Sequence, residues 1–219
     1  MPGCSEAAAI EDRLRRWFPE PAFVKVAPIA DRPVLPEEQA LVARAVPRRQ
    51  HEFATGRWLA RQGMRLLGLP DEPIGVGRLR EPLWPPTIAG SISHDGGLCA
   101  VVLARKRGRA SDGFGIDLVS LQRRAGRMDD LAPMFVTHPD EITAMASFDL
   151  SVDPYMLLFS LKEAAVKAMR SRLDDFVDMR EIEIHRSGAF ELRLFGDTVG
   201  VELLADATAE NLVTAVKIV

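Results

Sequence analysis

The 219-residue chain reads as an α+β protein made of two halves, residues 1–110 and 111–219. Helical and extended signals occur on both sides of residue 110. Composition is that of an ordinary globular protein, with 47% hydrophobic and 27% charged residues. No apolar run approaches the roughly 20 residues that a membrane helix needs.

The elements follow from the chain in order. Pro19, Pro21, Pro28, Pro33 and Pro36 make the segment 19–36 extended or irregular. Pro36-Glu37-Glu38 is a good first helical turn. A second helix is predicted from Gln50 to Leu67, stopped by Gly68 and Pro70. Residues 71–90 carry four more prolines and read as loop. Leu98–Ala104 and Phe114–Val119 are short apolar runs that read as strands, with the basic run Arg105–Arg109 as the hairpin tip between them. Helices follow near Pro139–Ser147 and Asp153–Arg172. Strands are predicted at Glu181–His185, Phe190–Phe195, Val199–Leu204 and Leu212–Ile218.

Charge and cysteine content narrow the function classes. A net charge of −3 argues against a nucleic-acid binder driven by bulk positive charge. Cys4 and Cys99 are too few for a disulfide framework or a four-cysteine zinc site, and Met1–Ile10 lacks the pattern of a secretion signal. The reading is a reduced, cytoplasmic protein that meets no membrane. His51, His138 and His185 show no metal-ligand spacing.

Four features carry chemistry, each beside a plainer reading. In the helix Tyr155–Met169, Glu163 and Lys167 are four apart and share a face: a simple ion pair, or a carboxylate for metal beside an ammonium for phosphate. Asp117 stands inside the apolar strand Gly115-Ile116-Asp117-Leu118-Val119. There it is either a strand-end cap or a paired or metal-bound carboxylate, and alternation puts Val119 on its face. Gly90-Ser91-Ile92-Ser93-His94-Asp95-Gly96-Gly97 reads as a loop before a strand, a simple turn or a set of donors for phosphate. Arg57, Arg61 and Arg65 form one helical stripe downstream of Arg48 and Arg49, a solvated face or an anion grip. The Arg105–Arg109 run is a solubilising loop or a docking patch for an acidic partner.

The order of the blocks is more specific than any block alone. Phe53-Ala-Thr-Gly-Arg57, Arg80-Glu-Pro-Leu-Trp84, Gly90-Ser-Ile-Ser-His94, Gly115-Ile-Asp117 and Phe159-Ser-Leu-Lys162-Glu163-Ala-Ala-Val-Lys167 together resemble the 4'-phosphopantetheinyl transferases of the Sfp/EntD type, over roughly residues 35–170. The resemblance implies a pseudo-dimer of two similar α+β halves with the active site in the cleft between them. It implies transfer of the phosphopantetheine arm of coenzyme A to a serine of an apo acyl or peptidyl carrier protein, releasing adenosine 3',5'-bisphosphate. Siderophore, non-ribosomal-peptide, polyketide and fatty-acid carriers are the settings it suggests. It implies magnesium, with manganese as the alternative, on Asp117 and Glu163. Glu163, Lys167 and Asp117 are the implied catalytic set, with Glu141 as the alternative base. Arg49, Arg57, Arg80, Ser93, His94, Lys162 and Lys167 are the implied coenzyme A contacts. A single chain with both halves implies a monomer. The family pattern carries Glu where this chain has Val119, which implies weaker metal binding or, in the rival reading, a non-catalytic coenzyme A- or carrier-binding member.

Overall fold

The computed structural model describes residues 2–108, 113–124, 126, 128–173 and 175–219. The chain divides into two compact units, Met1–Arg107 and Gly108–Val219. Each combines helices with an antiparallel sheet.

Unit 1 runs α1 (Pro2–Trp17), β1 (Phe23–Pro28), α2 (Pro36–Val42), α3 (Pro47–Leu66), β2 (Ile88–Asp95) and β3 (Leu98–Arg105). Its sheet has the order β1-β3-β2. The central strand β3 is an unbroken apolar run because both its faces are covered. Cys99, Val101 and Leu103 meet Leu59, Ala60 and Met64 of α3 in one core. Ile10 and Leu14 of α1, which also packs on β1 and β3, are fully buried.

The structure adds to two of these readings and corrects a third. The sequence reading assigns no element to residues 1–18, where α1 stands. The proline-rich segment 19–36 contains β1, tolerated because β1 is an edge strand with Pro28 at its end. Residues 90–95 are strand rather than loop. Their Gly and Ser content is poor for a strand, but full pairing with β3 overrides that local preference. Gly96 and Gly97, at φ 57° and 85°, supply the two positive-φ positions of the tight turn into β3.

Unit 2 runs β4 (Phe114–Ser120), the single turns α4 (Leu121–Arg124) and α5 (Met128–Leu131), then α6 (Pro139–Met145) and α7 (Pro154–Ala168). Strands β5 (Ile182–Ser187), β6 (Ala189–Leu194), β7 (Asp197–Ala207) and β8 (Asn211–Ile218) complete it. The sheet order is β4-β8-β7-β6-β5, so the first and last strands of the unit are neighbours. The hairpin expected around Arg105–Arg109 does not exist: β3 pairs with β1 and β2, whereas β4 pairs with β8. Arg105 instead donates to the Leu67 carbonyl just past α3, one of the acceptors a helix end leaves open. Arg109 lies outside the described residues.

α7 starts where the sequence places it. Pro154 occupies the first turn, and the Asp153 carboxylate accepts the Tyr155 N–H at 2.8 Å. The helix packs on β4, β8 and α6, which explains its apolar residues on nearly every side.

Both units use the same device to seat their long helix. In unit 1, Glu38 of the Pro-started α2 is fully buried. It accepts the Leu35 and Ile74 N–H groups at 3.2 and 3.1 Å and pairs with Arg61 of α3. In unit 2, Glu141 of the Pro-started α6 is equally buried. It accepts N–H groups of Thr137, His138 and Ile184 and pairs with Lys162 of α7 at 2.8 Å. The Lys162 ammonium also reaches the Phe135 carbonyl at 2.5 Å, and burial pushes its pKa below the usual lysine value. Removing either partner of such a pair leaves an uncompensated buried charge, a loss of about 3–5 kcal/mol.

Gly115 determines how closely α7 lies on β4. A Cβ there would stand 2.7 Å from Lys167 Cβ and from the Ala168 nitrogen, and closer still to the Ala164 carbonyl oxygen. Gly115→Ala is therefore expected to destabilise the protein by about 3 kcal/mol through overpacking against helix backbone. Gly97→Ala meets no neighbour and bears only its positive φ, about 1 kcal/mol. Urea midpoints of the two variants check the ranking.

Candidate active site

The sequence-predicted residues fall into two sets, one in each unit. In unit 2 the centre is Asp117, which is 7% exposed on β4. Because residues 115, 117 and 119 share a strand face, the helix admitted by Gly115 also covers Asp117. Lys167 of α7 donates to Asp117 Oδ1 at 2.8 Å and to the Ile116 carbonyl at 3.0 Å. Ser160, seven residues earlier on the same helix, donates to Asp117 Oδ2 at 2.9 Å. Thr214 of β8, the cross-strand partner of Asp117, lies 2.8 Å from Ser160 Oγ. Glu163 is half-buried on the turn between Ser160 and Lys167. Two carboxylates, an ammonium and two hydroxyls therefore occupy one stripe of α7 and the two strands β4 and β8 beneath it.

The chemistry of this donor set suits a hard divalent cation. Such ions take carboxylate oxygens and complete their shell with phosphate oxygens and water. Among the described residues, no group of three or more His, Cys, Asp or Glu side chains stands ready to hold a metal. Val119, where the family pattern carries an acid, is 1% exposed and packed in the apolar core with α7.

Two expected site residues lie elsewhere. Lys162 and Glu141 are buried against each other and against backbone groups. Lys162 is therefore not disposed to bind coenzyme A, and Glu141, with both oxygens occupied by N–H groups, is not a free base. Helix geometry explains the difference between the two lysines. Five residues rotate α7 by about 140°, so Lys162 and Lys167 leave it in different directions.

In unit 1, a cleft of about 230 Å³ is lined by Arg49, Arg57, Arg80 and His94, among others. Arg49 and Arg57 are two turns apart on α3. Arg57 is 4% exposed, and its guanidinium donates to the Ile74 and Gly75 carbonyls and lies over the Phe53 ring. Burial pushes its pKa down to about 10, so it keeps its charge at neutral pH. Arg49 donates to His94 Nε2 at 2.8 Å. An arginine only donates, so this nitrogen accepts and the imidazole proton sits on Nδ1, 3.7 Å from Glu52 Oε2. Glu52 also takes Arg48 at 2.9 Å and Arg49 at 3.5 Å.

Ser93 does not line this cleft, because strand alternation turns it to the face opposite His94. Arg61 and Arg65 do not line it either. They pair with Glu38 and Asp71.

Three residues with clear places in these networks escape the sequence reading. Glu52 announces itself only through its four-residue spacing from Arg48. Ser160 does so through its seven-residue spacing from Lys167. Thr214 gives no local signal, since only the β4–β8 register brings it to Asp117.

Comparison with known proteins adds five findings. Residues 37–104 match the family described as the 4'-phosphopantetheinyl transferase N-terminal domain, and residues 113–216 match the 4'-phosphopantetheinyl transferase superfamily. The 4'-phosphopantetheinyl transferase Svp of Streptomyces mobaraensis is 38% identical over 175 residues, 76% of this chain and 69% of that protein. Enterobactin synthase component D of Salmonella typhi is 33% identical over 129 residues, 58% of this chain and 50% of that protein. A crystal structure of a holo-(acyl-carrier-protein) synthase from Bacillus anthracis is 24% identical, covering 48% of this chain and 94% of that one, with a TM-score of 0.36.

Arg80 sits at φ 67°, a conformation that costs a side-chain-bearing residue about 1–2 kcal/mol. Arg80→Gly is expected to be about 1 kcal/mol more stable than Arg80→Ala, while both bind inorganic pyrophosphate more weakly than the parent. Thermal melts and calorimetric titration separate the two effects. Val119→Glu is expected to lower stability by about 3 kcal/mol, since it places an unpaired carboxylate in packed apolar surroundings. A urea midpoint equal to the parent's would show that the new side chain escapes the core.

Proposed function

Because this chain belongs to the 4'-phosphopantetheinyl transferase superfamily, we propose that it moves the 4'-phosphopantetheine arm of coenzyme A onto a serine of an apo carrier protein. Adenosine 3',5'-bisphosphate is the other product. The observation that carries this reading is the Asp117 carboxylate held at Oδ1 by Lys167, one turn along α7 from Glu163.

The reaction is a phosphoryl transfer at a pyrophosphate, so positioning and charge neutralisation do most of the work. The serine oxygen forms a bond to the β-phosphorus while the bond from that phosphorus to the bridging oxygen breaks. The leaving group departs on the adenosine phosphate. Arg49, Arg57 and Arg80 supply donors and positive charge for the phosphates of coenzyme A, and His94 orients Arg49 toward them. Arg57 is held in place by backbone carbonyls and needs no reorganisation. Lys167 offsets negative charge at the pyrophosphate. Glu163 receives the serine proton, because Glu141 is sealed in the interior. Asp117 and Glu163 would hold magnesium or manganese, which when bound supplies positive charge to the phosphate oxygens.

The non-catalytic alternative is not favoured. Asp117, Glu163 and Lys167 all keep places on one stripe, and the relatives described above carry the names of transferases and synthases. Enterobactin synthase component D among the relatives makes a siderophore carrier the first substrate to try. Among the described residues, no helix is long and apolar enough to cross a membrane. We place the protein in the cytoplasm as a monomer, where the buried Cys99 thiol stays reduced.

Intact-protein mass spectrometry of apo acyl and peptidyl carriers, incubated with coenzyme A, magnesium and this protein, tests the proposal. The expected result is a gain of one phosphopantetheine that a chelator abolishes. Asp117→Ala and Glu163→Ala are each expected to slow it about a hundredfold. Near-parental rates in both variants would remove these carboxylates from the mechanism, and no gain on any carrier would remove the activity.

A further inference from the structure

We propose that Ser160 and Thr214 are positioning residues that orient the Asp117 carboxylate for its cation. The inference rests on the reading of Asp117 as a metal-holding group.

The network has one possible polarity. An ionised carboxylate only accepts hydrogen bonds, so the Ser160 hydroxyl proton must point at Asp117 Oδ2. The Ser160 oxygen is then the acceptor in its 2.8 Å contact with Thr214, whose hydroxyl must donate. The chain runs Thr214 to Ser160 to Asp117, with Lys167 fixing the other carboxylate oxygen.

Three features give the chain more than a packing role. Ser160 and Thr214 are both fully buried, so no water substitutes for a missing hydroxyl. They come from different elements, α7 and β8, while Asp117 comes from β4, so the carboxylate plane is locked to all three. Ser160 and Lys167 each hold one oxygen of the carboxylate, which fixes the direction in which its lone pairs point. With Val119 where a second strand acid would stand, the orientation of the remaining strand carboxylate matters more.

The test uses Thr214→Val, Thr214→Ser and Ser160→Ala in the full chain. Two quantities are read for each: the magnesium concentration that half-saturates transfer, and the gain in coenzyme A affinity on adding magnesium, measured calorimetrically without carrier. Ser160→Ala is expected to raise the half-saturating magnesium about tenfold and to shrink the affinity gain. Thr214→Val, which keeps the side chain's shape, is expected to shift both a few-fold, and Thr214→Ser to restore them. Variants that melt earlier yet keep the parental magnesium dependence and affinity gain would show that the hydroxyls merely pin α7 to the sheet, overturning the inference alone. A parent protein without magnesium-dependent transfer would overturn the functional reading and this inference with it.

Discussion

A buried carboxylate pinned between a short helix and a long one is the constraint on which each unit rests. Glu38 with Arg61, and Glu141 with Lys162, tie a proline-started seven-residue helix to the long helix that carries site residues. In both cases the carboxylate also accepts backbone N–H groups at its own helix start and from a distant segment, Ile74 or Ile184. Each oxygen therefore has a partner, the condition under which a buried ion pair is tolerated. The two units differ in sheet size, three strands against five, yet solve the seating of a helix in the same way.

Once α7 is seated, Gly115 decides what it can touch. The absent Cβ lets helix backbone rest on β4, and that proximity brings Ser160 and Lys167 to either oxygen of Asp117. The same turn geometry assigns the two lysines of the Lys-Glu block to different tasks. Lys162 closes the interior, and Lys167 serves the strand carboxylate. Position 119 is committed to packing on that face, so in the proposed function Asp117 and Glu163 are the two carboxylates that would hold a metal.

Unit 1 collects positive charge with more restraint than its arginine content suggests. Arg61 pairs with buried Glu38, Arg65 pairs with Asp71 at the surface, and Arg57 is anchored by carbonyl groups. Glu52 is the one carboxylate on the described lining of the cleft. It holds Arg49 and the Nδ1 side of His94 in fixed relation. Such prior pairing limits the reorganisation that anion binding requires. The positive φ of Arg80 is strain of the kind that clusters at functional sites.

Local pattern was enough to read the α+β class, the two long helices, the last four strands and the placement of Asp117 and Val119 on one strand face. These depend on periodicity, proline punctuation and alternation within a few residues. What stayed hidden was decided by contacts between distant segments. Pairing with β3 makes a strand of the Gly- and Ser-rich stretch 90–95, and different sheet partners separate β3 from β4 although they adjoin in sequence. The burial of Lys162 and Glu141, the turning away of Ser93 and the arrival of Thr214 beside Ser160 are likewise tertiary. A residue's type states what it can bond to, and only the packed register decides which partner lies within three ångströms.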